Sequence, residues 1–168
     1  MEKKELELYI HIPFCVRKCN YCDFLSFPAD EDTQRQYVKA LCKEIFYYGA
    51  HCRDYVVSTV YIGGGTPSWL WESDMAAILD AIQKSFSLLP EAEVSIECNP
   101  GTVTAQKFAV YRQSGINRIS LGLQSAQNVE LKMLGRIHTW EQFLKTYELA
   151  RSGGFSNINV DLMSSLPG

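Results

Sequence analysis

Three cysteines fall within eight residues, Cys15-Val-Arg-Lys-Cys19-Asn-Tyr-Cys22. A thiolate is a nucleophile and a metal ligand. A 4Fe-4S cluster normally presents its irons to four thiolates. Three sulfurs converging from one loop would take three irons and leave one open, much as an open position marks a catalytic zinc. Structural zinc more often shows paired C-x2-C or Cys/His ligands and a closed fourth site. His11 and His51 are the nearest candidates for such a fourth ligand. A disulfide plus one free thiol is the third reading. The spacing favours the open-iron cluster over both. Cys42, Cys52 and Cys98 are scattered and read as buried, inert thiols.

The composition sets the frame for this chemistry. The chain has 168 residues, 46% hydrophobic and 21% charged, enough for one sizeable core. Its formal charge is −3, with no basic run longer than Lys3-Lys4, so no nucleic-acid surface is indicated. No apolar stretch approaches the roughly 20 residues that span a bilayer. The start, Met1-Glu-Lys-Lys-Glu, lacks the apolar segment of a signal peptide. A cytosolic chain is expected, where cysteines serve as ligands rather than disulfides.

Strand and helix patterns alternate. Strands are expected over 6–12, 56–62, 93–98, 118–122 and 157–162. The run 56–62 is β-branched and apolar, as in a buried strand. Helices are expected over 33–48, stopped by Gly49, and after a Ser73 cap, with Met75, Ile78, Leu79 and Ile82 on one face. Further helices are expected over 104–114, 129–134 and 139–152. The class is α/β with a parallel sheet. A partial (β/α) barrel of about five units is favoured, because the unusual residues follow strand C-termini. A doubly wound open sheet is the alternative. The chain stops just past its fifth strand, which reads as a truncated product or a fragment of a longer protein, one domain over 1–168.

Seven ordered motifs surround and follow the cysteines: Tyr9-Ile-His-Ile-Pro-Phe-Cys15, Cys22-Asp-Phe24, Gly63-Gly-Gly-Thr-Pro-Ser68, Glu97-Cys-Asn-Pro-Gly101, Ser120-Leu-Gly-Leu-Gln-Ser125, Leu134-Gly-Arg-Ile-His138 and Asn159-Val-Asp-Leu-Met163. With C-x3-C-x2-C, they resemble the radical SAM superfamily. The match is to the branch holding oxygen-independent coproporphyrinogen III oxidase and the haem chaperone HemW. The oxidases usually carry a fourth cysteine two residues after the third. Phe24 stands there in this chain, which resembles the HemW side, as does the Asn99-Pro-Gly101 turn.

The resemblance implies that Cys15, Cys19 and Cys22 ligate a 4Fe-4S cluster whose unique iron chelates S-adenosylmethionine (SAM). It implies a TIM-like barrel, and SAM contacts from Tyr9, Tyr21, Gly64, Gly65, Thr66, Glu97, Gln124, Arg136 and Asp161. It further implies haem or a porphyrinogen as ligand, an electron donor, a haem-acceptor protein and a homodimer as partners. Three functions follow: a haem chaperone, a coproporphyrinogen oxidase that cleaves SAM, or an inactive remnant. For Glu97, Asp161 and Arg136 the plainer reading is a structural ion pair. For Tyr9 and Tyr21 it is core packing, and for Gly64 to Thr66 a tight βα turn. His11 and His138 read as satisfied structural histidines, and Trp69 and Trp71 as packing.

Overall fold

The structure, a computed structural model, describes residues 4–166. Met1 to Lys3 of the charged start, and Pro167 and Gly168 at the end, lie outside the described residues. Five strands form one parallel sheet: β1 (Lys4–Ile12), β2 (Tyr55–Gly64), β3 (Leu88–Cys98), β4 (Arg118–Gln124) and β5 (Asn157–Leu162). Their spatial order is β1-β2-β3-β4-β5, the order of the sequence. A doubly wound sheet reverses its order at a switch point. This one never does, so the favoured partial barrel holds, as an open five-stranded arc.

Helices fill the crossovers: α1 (Glu31–His51), α2 (Glu72–Ser85), α3 (Ala105–Gln113), α4 (Asn128–Met133) and α5 (Trp140–Ser152). Residues alternate along each strand, so the two sheet faces differ. Ile10, Ile12, Val60, Ile62, Val94, Ile96, Ile119 and Leu121 enter one apolar core with Met75, Ile78, Ile82 and Phe108 from the helices. The opposite face carries Tyr9, His11, Tyr61, Ser95, Glu97, Ser120, Asn159 and Asp161. The run 56–62 is therefore buried on its helix side only, with Tyr61 half-buried on the other.

Caps fix most helix starts. Asp30 accepts from the Thr33 amide at 2.8 Å and opens α1 two residues before the expected start. Thr139 and Gln142 form a capping box on α5. Ser73 does not cap α2. Trp71 holds the cap position without a side-chain bond, and Ser73 lies inside the first turn. Trp69 and Trp71 are 39% and 49% exposed, so their packing is partial. Cys98 is buried, as expected, but Cys42 and Cys52 are only half-buried.

Gly49 does not stop α1, which runs on to His51. Its lack of a side chain serves contact instead. A Cβ there would lie 2.5 Å from Ser85 Cβ and 2.6 Å from the Ser85 carbonyl oxygen. Alanine is the better helix former, so a free helix end would gain from Gly49→Ala. The contact with Ser85 predicts a loss of about 1–3 kcal/mol, typical of overpacking, read as a lower urea midpoint.

Candidate functional site

Every β-strand ends at the same rim, and a cleft of about 440 Å³ opens there. That volume suits a small-molecule site. The loop after β1 supplies Cys15, Cys19, Tyr21 and Cys22. The end of β2 supplies Tyr61, Gly64, Gly65 and Thr66. From β3 come Glu97 and Asn99, from β4 Ser120, Gly122 and Gln124, and from β5 Asp161 and Met163. Arg136, after α4, completes the wall.

The cysteine loop is seated on β2 by two backbone bonds. Gly65 N–H donates to the Ile12 carbonyl at 2.8 Å, and Thr66 N–H to that of Phe14 at 2.7 Å. A Cβ on Gly65 would meet the Phe14 carbonyl oxygen at 2.6 Å and Cys15 Sγ at 3.0 Å. Glycine is required here by the chain's own backbone. The loop base is closed by Phe27, whose N–H donates to the Pro13 carbonyl and whose carbonyl accepts from Cys15 N–H. The far side is tied down by Arg17, which donates to the Gly135 carbonyl at 2.8 Å. Asn20 likewise donates to the Leu134 and Met133 carbonyls.

Arg136 reaches across the cleft mouth. It donates to the Gly122 carbonyl at 2.6 Å, to Asn99 Oδ1 at 2.7 Å, to the Tyr21 hydroxyl at 3.4 Å and to Cys19 Sγ at 3.7 Å. It pairs with no carboxylate among the described residues. The structural ion pair considered for Arg136 is therefore replaced by neutral acceptors and a sulfur. Thr66 Oγ1 donates to Cys15 Sγ at 3.5 Å.

The carboxylates sit on the sheet side of the cleft. Glu97 accepts from the Tyr61 hydroxyl at 2.8 Å and from Gly64 N–H at 3.1 Å. Burial raises its carboxyl above the usual range, against the pull of those two bonds. Burial and the Glu97 bond likewise push the Tyr61 phenol up. Asp161 accepts from Ser120 Oγ and from Asn159 Nδ2 at 2.6 Å. Gln124 adopts φ +71°, a left-handed conformation unusual for a side-chain-bearing residue, at the end of β4.

Of the three cysteines and nine SAM contacts implied by the resemblance, only Tyr9 does not line the cleft. It stands on the neighbouring strand, 60% exposed, stacked on Tyr61. Sequence reasoning missed Tyr61, Asn99 and Ser120 as cleft residues. Each lies inside or beside a quoted motif, and the period-two alternation that puts Tyr61 and Ser120 on the same sheet face as Glu97 was the available signal. His11 is satisfied as expected: Nε2 donates to the Leu25 carbonyl at 2.9 Å, and Nδ1 meets the Tyr9 hydroxyl. His138 departs from the expectation of a satisfied ring: it is buried, and neither ring nitrogen has a hydrogen-bond partner among the described residues.

The family profile described as Radical SAM superfamily matches residues 9–168. The chain belongs to this superfamily. It is 42% identical over 163 residues to the haem chaperone HemW of Escherichia coli, covering 96% of this chain and 43% of that protein. It is 37% identical to the oxygen-independent coproporphyrinogen-III oxidase-like protein HemZ of Bacillus subtilis, covering 99% of this chain and 34% of that one. The solved coproporphyrinogen III oxidase HemN of Escherichia coli, a radical SAM enzyme, superposes with a TM-score of 0.90 at 29% identity, over 99% of this chain and 38% of HemN. The chain thus spans less than half the length of the relatives it matches.

The donor set of this radical SAM chain fits an iron–sulfur cluster. All six cysteines are free thiols. Cys19 and Cys22 are half-buried on a loop beside an open cleft, and two of the three loop sulfurs already receive a donor. No three His, Cys, Asp or Glu among the described residues are grouped to hold a single metal ion.

His138 gives a pH test. Burial first, then the Arg136 charge, hold its imidazole down at about 4, against an ordinary 6.5. Below the ordinary value the unfolded chain binds a proton that the folded chain refuses. Stability should therefore fall as pH drops from 6.5 towards 4. In His138→Gln, urea midpoints measured across that window should lose this part of the decline.

Proposed function

We propose that the chain is the cluster- and SAM-binding core of a HemW-like haem chaperone acting in the cytosol. The observation that carries the reading is the cysteine loop beside a charged cleft, in a chain with Phe24 where the oxidases usually hold a fourth cysteine. Phe24 lines the cleft and is 65% exposed. The similarity to haem chaperones over 96% of the chain supports the same side of the branch.

Cys15, Cys19 and Cys22 would hold the cluster, and the cleft would take SAM. When bound, a reduced cluster supplies one electron for cleavage of a sulfonium C–S bond. The residues have separable tasks. Arg136 offers a cation beside Cys19. Glu97 and Asp161 offer acceptors for hydroxyl or amino groups on the sheet side. Gly64, Gly65 and Thr66 bring backbone close to the loop. Gln124 projects into the cleft from its left-handed corner, and Tyr21 covers the cluster side. Tyr9 braces Tyr61, which holds Glu97. Haem would pass to an acceptor protein, with a second copy of the chain and an electron donor as further partners.

Anaerobic reconstitution tests the core of this reading. About four irons and four sulfides per chain are expected, lost when any one of the three cysteines becomes alanine. One zinc per chain without sulfide would sink the cluster. Haem titrated into the loaded chain should give a stable new Soret band, and coproporphyrinogen III should remain undecarboxylated. Decarboxylation with release of 5′-deoxyadenosine would instead favour the oxidase.

A further inference from the structure

Asn99 takes no part in the roles above, yet it joins the two donors that reach the loop sulfurs. Arginine has no acceptor. The Asn99 atom facing Arg136 at 2.7 Å is therefore the carbonyl Oδ1. That fixes the amide, so Nδ2 faces Thr66 Oγ1 at 2.9 Å and donates to it. With its oxygen accepting from Asn99, the Thr66 hydroxyl directs its single proton to Cys15 Sγ, 3.5 Å away. The other arm of Arg136 reaches Cys19 Sγ.

Asn99 is itself locked. Its N–H donates to Ser68 Oγ at 3.1 Å, and its carbonyl accepts from Thr102 Oγ1 at 2.7 Å. Ser68 and Thr102 hydroxyls meet at 2.6 Å, and Lys107 Nζ donates to both of their carbonyls. The amide thus stands on a mostly buried polar platform between the ends of β2 and β3.

We propose that Asn99 is a positioning residue that sets the redox poise of the cluster. Its amide polarity turns the Thr66 hydroxyl onto Cys15 while it holds the Arg136 guanidinium beside Cys19. The inference rests on the cluster reading above. A donor on a ligand sulfur stabilises the more negative, reduced state and raises the potential.

The test is a two-by-two cycle read as the midpoint potential of the SAM-free, reconstituted chain, in an EPR-monitored redox titration. Thr66→Val removes the donor to Cys15 and should shift the potential negative, whereas Thr66→Ser should keep the parent value. Asn99→Asp is nearly isosteric but accepts on both oxygens, so it draws the Thr66 proton away from sulfur. Its added charge lowers the potential by itself, so the deciding quantity is the effect of Thr66→Val within the Asn99→Asp chain. That effect should vanish. An undiminished Thr66→Val shift there, or no shift in the parent, overturns the proposal. So does an Asn99→Asp chain that folds by circular dichroism but assembles no cluster, since losing one sulfur donor removes no ligand. A parent chain that takes up no iron or sulfide removes the cluster reading and this inference together. Wrong coupling in a loaded parent removes the inference alone.

Discussion

The seating of the cysteine loop on the glycine-rich end of β2 is the constraint from which the site follows. Parallel strands end their hydrogen bonding at a rim, and β2 continues past its rim to bond the chain leaving β1. Gly65 and Thr66 bond the carbonyls of Ile12 and Phe14, so Cys15 is carried by the sheet itself. Any side chain at Gly65 would push against backbone oxygen and the Cys15 sulfur together. Backbone yields less readily than a side-chain tip, so this contact sets where the loop begins. The remaining ties, from Arg17 and Asn20 to the segment after α4, set where it ends.

The two faces of the sheet divide the labour. The helix side is apolar and contributes the core. The other side collects hydroxyls, amides and carboxylates in a register that puts Glu97 opposite Ser120, and Gly122 opposite Asp161. A buried carboxylate needs hydrogen-bond donors. Glu97 finds them in Tyr61 and Gly64, and Asp161 in Ser120 and Asn159. These groups satisfy one another without ion pairs, which leaves the cleft open.

Much of this was readable from the residues. Alternation fixed five strands, and the position of odd residues after them pointed to a barrel-like arc. Boundaries failed where tertiary contact overrode local preference. Gly49 looks like a helix stop, but its meaning depends on Ser85, at the end of the following helix α2. Ser73 has a good cap side chain but falls inside the turn opened at Trp71. Gly64 to Thr66 read as SAM contacts or as a tight βα turn, and the Cβ contacts add a packing demand that no local pattern carries: His11 lies against Gly64 and the Phe14 carbonyl against Gly65. Asn99 carried no one-residue signal. Its role exists only as a bond path between Thr66 and Arg136, far apart in the chain.

Arg136 is the residue whose bonding is least complete. Its two terminal nitrogens are engaged by neutral oxygens and a sulfur, and its Nε is buried with no hydrogen-bond partner. A guanidinium held by neutral acceptors keeps its whole charge. Half-buried at the cleft wall, that charge costs solvation it does not recover from any carboxylate among the described residues. The acidic groups that line the same cleft, Glu97 and Asp161, are engaged by donors of their own. The cleft is therefore polarised, cationic beside Cys19 and acidic against the sheet. An anionic group entering at the cysteine end would recover the missing interaction, and a ligand with hydroxyls or an amine at its other end would complete the match. The unpaired charge at Arg136 is thus one that binding of an anion, rather than folding, would relieve.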